Sequence, residues 1–316
     1  MSVEPVCVQD FERYLKEGVG QTFWQHCRSG AENEQTLEDN VQAFRRYRLR
    51  PRCLRDVSHR DTSCSVLGHR LAFPVAVSPT SQHGHVHVDG EIETVKGVSD
   101  AGTAMVVSMW ANKTLESVAQ SASPNTPLFY QLNLLPDRSK MATIIRRAEK
   151  SGYKGLFITI DQPFMGLRLH SLRRPFKPHE YVPVPNALDL AQKMSRDLIR
   201  STCNAAATWD DVSWLKQMTS LPVVVKGVLT AETAREAVDC GVAGILVSNH
   251  GGRQLDGVPA TIDVLAEVVE AVRGSGVEVY LDGGIRKGTD VLKALALGAR
   301  AVFIGRPALW GLAYDG

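Results

Sequence analysis

No stretch of this sequence stays apolar for the roughly 20 residues that a membrane-spanning helix requires, so nothing in it is expected to cross a bilayer in that form. Charge of one sign is scarce too. Against 36 Lys and Arg stand 34 Asp and Glu, and the formal net charge of +2 is too small to argue for nucleic acid or an anionic membrane surface as a partner. The opening MSVEPVCVQDFERYLKEG carries acidic residues and no apolar core segment, which excludes a secretory signal there. Paired cysteine spacing is also missing. Cys7, Cys27, Cys53, Cys64, Cys203 and Cys240 are scattered, a pattern that suits reduced thiols in an intracellular enzyme better than a disulfide framework or a zinc site.

What is present is an ordinary globular composition, 44% hydrophobic and 22% charged over 316 residues. That length holds one or two domains, and one α/β barrel also fits. From residue 73 the chain alternates short apolar runs (FPVAVS, AMVVS, LFYQL, LFITI, PVVVK, GILVS, VEVYL, AVFIG) with longer amphipathic stretches. Continuous apolar runs bounded by Gly and Pro read as strands buried on both faces, the signature of a parallel sheet. Eight of them alternating with helices predict a closed (β/α)8 TIM barrel; an open, doubly wound sheet is the alternative. The expected layout is a single domain, with residues 1–72 as an N-terminal, partly helical segment packing on a barrel of residues 73–316. Residues 162–208 form a long insertion rich in Pro, Arg and His, and such loops are usually functional. The Arg-rich run RRYRLRPRCLRD reads as a solvated surface with ion pairs. The final GRPALWGLAYDG leaves about one turn for an eighth helix, which is therefore expected to be truncated.

In such a barrel the site is built from the C-terminal ends of the strands. In chain order these ends offer Ser78, Pro79, Thr80 and Ser81, then Ser108, then Gln131 and Asn133, then Thr159 and Asp161. Lys226 follows, then Ser248, Asn249 and His250, then Asp282, Gly283 and Gly284, and finally Gly305 and Arg306. Every strand delivers a polar or glycine group to one rim. Glycines after strands seven and eight allow backbone to approach a phosphate, with Arg286 and Arg306 adding charge; tight turns with surface arginines are the blander account. A lysine closing a buried strand, as Lys226 does, calls for a partner of opposite charge. His250 can act as a base near pH 7, and Arg253, three residues on, can hold a carboxylate. His83, His85 and His87 alternate after the first strand and raise a metal-dependent hydrolase as a rival, but Gly305 and Arg306 stand where such a barrel needs a metal-binding acid.

SNHGGRQLD, LPVVVKG, LDGGIRKGTDVLKALALGA and FIGRP, together with SGAENEQTLEDNVQAFRRYRLRPRCLRDV near the start, strongly resemble the FMN-dependent (S)-2-hydroxy acid oxidases, the group that includes glycolate oxidase and the long-chain 2-hydroxy acid oxidase. The resemblance covers essentially the whole chain. It implies FMN held by Pro79, Thr80, Ser81, Ser108, Gln131, Thr159, Lys226, Ser248, Asp282, Gly283, Gly284, Arg286, Gly305 and Arg306. It implies that Lys226 stabilises negative charge on the reduced ring, that His250 is the catalytic base oriented by Asp161, and that Arg168 and Arg253 clamp the substrate carboxylate. A small 2-hydroxy acid and dioxygen would be the reactants, giving a 2-oxo acid and hydrogen peroxide. A homo-oligomer and a peroxisomal address are implied as well. Two positions depart from the family pattern: His26 and Asn133 stand where substrate-contacting tyrosines are usual. These two keep open an alternative, an FMN-binding pseudoenzyme of the same fold.

Overall fold

The eight apolar runs form eight parallel strands that close on one another. In this computed structural model, which describes residues 4–177, 180–186 and 196–316, they are β3 (Val75–Val77), β4 (Met105–Ser108), β5 (Leu128–Asn133), β6 (Leu156–Thr159), β7 (Val223–Val228), β8 (Gly244–Val247), β9 (Glu278–Leu281) and β10 (Ala301–Ile304). Each pairs with the next in sequence, and β10 returns to β3 to complete the barrel. The open-sheet alternative is thereby excluded. Helices follow the strands on the outside: α4 (Glu91–Asp100), α5 (Leu115–Ser121), α6 (Arg138–Lys150), α9 (Trp209–Gln217), α10 (Ala231–Asp239), α11 (Thr261–Ala271), α12 (Gly288–Ala296) and α13 (Arg306–Asp315). Their starts are set by local chemistry. Thr114, Asp137, Thr208 and Thr230 each accept a hydrogen bond from an amide that the first helical turn leaves unpaired.

Period-two alternation divides the strand residues between two cores. Phe129, Phe157, Tyr280 and Phe303 point inward and fill the barrel with Val106, Val224 and Leu246. Tyr130, Ile158, Val225 and Ile245 point outward beneath the helices. A hairpin of β1 (Cys64–Val66) and β2 (His69–Leu71) closes the N-terminal end of the barrel, where Val66 and Leu71 are fully buried on the inner core. At the opposite end register makes a polar shelf: Ser108 lies beside Gln131, Asn133 beside Thr159, and Thr159 beside Lys226. The register shifts after Lys226, at Gly227. This residue has φ +115°, and a Cβ there would lie 2.6 Å from that of Asp161, so glycine is what lets Asp161 sit against the rim.

The N-terminal segment and the insertion supply the remaining helices: α1 (Val8–Gly18), α2 (Gln21–Arg28), α3 (Gln35–Gln42), α7 (Leu169–Arg173) and α8 (Arg196–Ser201). Leu15, Phe23 and Trp24 of α1 and α2 pack on Leu309 and Trp310 of α13. That final helix has ten residues, nearly three turns and not the single turn expected, because Leu309, Trp310 and Leu312 gain a buried surface against the N-terminal helices. Asn40 of α3 and Asn249 beyond β8 exchange a reciprocal pair of amide hydrogen bonds, both 2.8 Å. The Arg-rich run is largely exposed, and its Arg46 pairs with Asp39 and Asp263.

Leu71→Ala should open a cavity beneath the inner core and lower stability by about 2–5 kcal/mol, the range for deleting a buried leucine. Urea unfolding measures this. A loss below about 1 kcal/mol would mean that the hairpin does not plug the barrel.

Candidate active site

The rim surrounds a cleft of about 1180 Å³, space open to solvent included. Pro79, Thr80 and Ser81 reach it from the loop after β3, Lys226 from β7, and His250 and Arg253 from the loop after β8. The loops after β9 and β10 bring Asp282, Gly283, Gly284, Arg286, Gly305 and Arg306. Arg168 enters from the insertion and His26 from α2.

At its centre His250 Nδ1 lies 2.9 Å from Asp161 Oδ1. A carboxylate can only accept, so Nδ1 carries the proton and Nε2 keeps its lone pair. The loop holds the imidazole in an unusual place: His250 has φ +59°, and its amide donates to Ser248 Oγ at 3.1 Å. Burial lowers the His250 pKa, Lys226 adds to that, and Asp161 opposes it; the net shift is downward, so the ring is neutral at pH 7. For Asp161 burial acts upward, but His250 and Lys226 more than offset it and the carboxyl ends below its usual value. Gln254 binds the two loops together by donating to the carbonyls of Asp161 and Phe164, at 3.1 and 3.0 Å.

Around this pair sits positive charge that no carboxylate salt-bridges among the described residues. Lys226 is only 4% exposed, and among the described residues its Nζ has no hydrogen-bond partner. Arg253 donates to the carbonyls of His26 and Ser29 at 2.8 and 2.7 Å. Arg306 donates to Cys27, Gly251 and Ser29 carbonyls at 2.9–3.2 Å. Arg168 donates to the Arg253 carbonyl and to Gln254. These acceptors are neutral, and among the described residues no carboxylate forms a salt bridge with any of the three. Burial first, then repulsion from the neighbouring arginines, depresses the pKa values of Arg168, to about 10, and Arg253, and burial lowers that of Arg306. Arg286 lies over the Trp310 ring at 4.8 Å, and burial brings it to about 10 as well.

Ser108, Gln131, Asn133, Thr159, Asp161 and Ser248 do not line the cleft; they lie in the layer beneath or beside it. Gln131 is the hub of that layer, accepting from Ser108 Oγ and donating to Asn133 Oδ1 and Thr159 Oγ1, all at 3.0–3.1 Å. Asn133 Nδ2 and Asp282 Oδ1 remain without partners among the described residues. Asn133 is buried and its Oδ1 accepts from Gln131, so it does not face the cleft. His26 does line the cleft, and its Nε2 faces Arg253 at 3.4 Å and Gln82 at 3.1 Å. Arginine only donates, so His26 Nε2 is an acceptor, and burial keeps the ring neutral. The glycine pair after β9 has a second reason to be there: a Cβ on Gly284 would lie 1.9 Å from the Asn40 carbonyl, so α3 could not seat.

The alternating histidines go to separate surroundings. His83 is buried between Thr80 and Thr94, His85 stacks on Phe23 at 4.6 Å, and His87 accepts from the Asp89 amide. Phe23, Trp110, Gln162 and Ile199 also line the cleft, and sequence reasoning did not single them out. Trp110 and Gln162 directly follow strand ends, which was the available signal; Phe23 and Ile199 had none.

Comparison with known proteins identifies relatives of the chain. The FMN-dependent dehydrogenase family matches residues 16–316. The chain is 48% identical to 2-hydroxyacid oxidase 1 of Mus musculus, over 98% of this chain and 86% of that protein. It is 42% identical to a peroxisomal (S)-2-hydroxy-acid oxidase of Oryza sativa subsp. japonica, over 99% and 86%. The crystal structure of a mandelate oxidase, 38% identical, superposes with a TM-score of 0.89 over 99% of this chain and 88% of that one.

Cations held against neutral carbonyls should be stabilised by a small anion. Oxalate at a hundred times its Kd should add about 2.7 kcal/mol to stability. A raised melting temperature reports this gain, and Arg168→Leu should remove most of it. An equal rise with uncharged oxamide would show that charge is not what the cleft selects.

Proposed function

This chain belongs to the FMN-dependent dehydrogenase family, and we propose that it oxidises an (S)-2-hydroxy acid to the 2-oxo acid with dioxygen as the final acceptor, releasing hydrogen peroxide. The observation that carries the proposal is a neutral imidazole, oriented by a carboxylate, beside four buried cations with which no carboxylate forms a salt bridge among the described residues. FMN is the cofactor, and the residues fit it. Lys226 offers an unpartnered ammonium to an electron-rich ring, with Pro79, Thr80, Ser81, Ser108, Gln131, Thr159 and Ser248 around and beneath it. Gly283, Gly284, Arg286, Gly305 and Arg306, with Asp282 at the loop's start, suit the phosphate end. When bound, FMN supplies the acceptor for the two electrons that leave the substrate.

The protein's own groups do the rest. Arg168 and Arg253 bind the carboxylate and fix which face of C2 is presented. His250 Nε2 takes the proton, and Asp161 holds the ring in the tautomer that allows it and stabilises the imidazolium formed. His26 keeps Arg253 aligned by accepting from it, and Asn133 steadies Gln131. A pseudoenzyme is the weaker reading, because the base, its carboxylate and both clamping arginines are all in place. The peroxisomal relative supports the same address for this chain.

Two tests bear on the base. His250→Ala should leave FMN bound and slow anaerobic flavin reduction by about a hundredfold to ten-thousandfold; an unchanged rate would remove His250 from the role. In the parent, kcat/KM should be flat near neutrality and fall on the acid side, as the base protonates below its ordinary pKa of 6.5. The Asp161 carboxylate raises the His250 pKa, so Asp161→Asn should slow the reaction and move the acid limb to lower pH. A limb that moves upward would contradict the pairing.

Restoring the family's tyrosines tests the altered positions. Hydrogen bonds to charged groups contribute roughly 1.5–3 kcal/mol each. Asn133→Tyr with His26→Tyr should therefore raise kcat/KM by about tenfold or more. A double variant that is folded, flavin-loaded and slower would show that this cleft has been rebuilt around the residues it now has.

A further inference from the structure

A second cavity adjoins the cleft. It spans about 470 Å³ with space open to solvent counted in, and it shares the side chains of His26 and Ile199 with the first. The rest of its lining includes Met165, Phe176, Tyr181 and Val182 from the insertion and His85 from the loop after β3. Its rings pack on one another: Phe176 meets His26 edge-on at 5.3 Å, His85 at 5.4 Å and Tyr181 at 6.1 Å. Burial keeps both imidazoles neutral. Among the described residues no acidic residue, lysine or arginine lines the chamber, though Glu180 lies near enough to act on His85, and Ser171 Oγ, also in its wall, is buried without a partner among them.

Such a chamber rejects a charged group, whose desolvation nothing there would offset, and favours hydrocarbon. It begins beside the residue that aligns the carboxylate-binding Arg253. A molecule held by its carboxylate in the cleft thus has an apolar space directly next to it. Resting on the function proposed above, we propose that this chamber receives the side chain on C2. The preferred substrates are then 2-hydroxy acids carrying an extended alkyl or aryl group, and glycolate, which has only hydrogen there, is a poor one. The imidazole of His26 is shorter than the tyrosine usual at that position and so fills less of the boundary between cleft and chamber.

The test uses the FMN-loaded enzyme with glycolate, 2-hydroxybutanoate, 2-hydroxyhexanoate, 2-hydroxyoctanoate and mandelate. Burial of the chain acts equally on ground and transition states, so KM should fall about fourfold for each methylene buried while kcat changes little. Calorimetric Kd values for the unreactive acids acetate, butanoate and hexanoate should fall by the same factor. Ser171→Phe, and independently Val182→Phe in case the first variant does not fold, should narrow the chamber and flatten both series. If glycolate is turned over but neither KM nor Kd improves with length, the chamber assignment fails and the oxidase reading stands. If no 2-hydroxy acid reduces the flavin, the oxidase reading fails, and the Kd series alone upholds or overturns the chamber.

Discussion

Positive charge held away from bulk water at one end of the barrel is the constraint on which the rest of this structure depends. Lys226, Arg168, Arg253 and Arg306 converge there, and among the described residues no carboxylate pairs with them. Taking such groups out of water is costly unless something negative faces them. The fold's partial answer is α2. The last carbonyls of a helix are unpaired and carry its negative end, and those of His26 and Cys27, with Ser29 just beyond, are turned onto Arg253 and Arg306. The N-terminal segment is thus held by the same side chains that define the cleft. Fold and site are secured by one set of hydrogen bonds, and the charge still uncompensated is what an anionic cofactor and an anionic substrate would satisfy.

The centre of the cleft follows from that field. Lys226 helps to keep His250 neutral and Asp161 ionised, which is the combination a base needs. Geometry does as much as charge. A glycine at 227 admits Asp161, left-handed backbone at His250 turns its ring into the cleft, and Gln254 ties the two loops together. Gln131 carries the same order across three strands, so that the layer beneath the cleft is one connected network.

Much of this was legible in the residues, and the parts that were not have physical reasons. Strands buried on both faces are continuous apolar runs, which is why FPVAVS through AVFIG map one for one onto β3–β10. Strand-end residues such as Lys226 and His250 announced themselves because barrel chemistry gathers at that rim. The hairpin carrying Val66 and Leu71 was invisible, since three-residue strands have too little periodicity to register. Phe23 and Ile199 reach the cleft only through tertiary packing. Asn133 was expected at the substrate and lies beneath it, and Arg306 is already engaged with three carbonyls, because which way a side chain turns depends on neighbours distant in sequence. The length of α13 depended on the surface that α1 and α2 present to it.

The most direct test is to add a 2-hydroxy acid to the purified, flavin-loaded protein without oxygen and follow the flavin's visible absorbance. The account predicts bleaching with one 2-oxo acid formed per flavin, and full return of colour when air is admitted. Flavin that stays bound and coloured through the whole range of short, long and aromatic 2-hydroxy acids would contradict it.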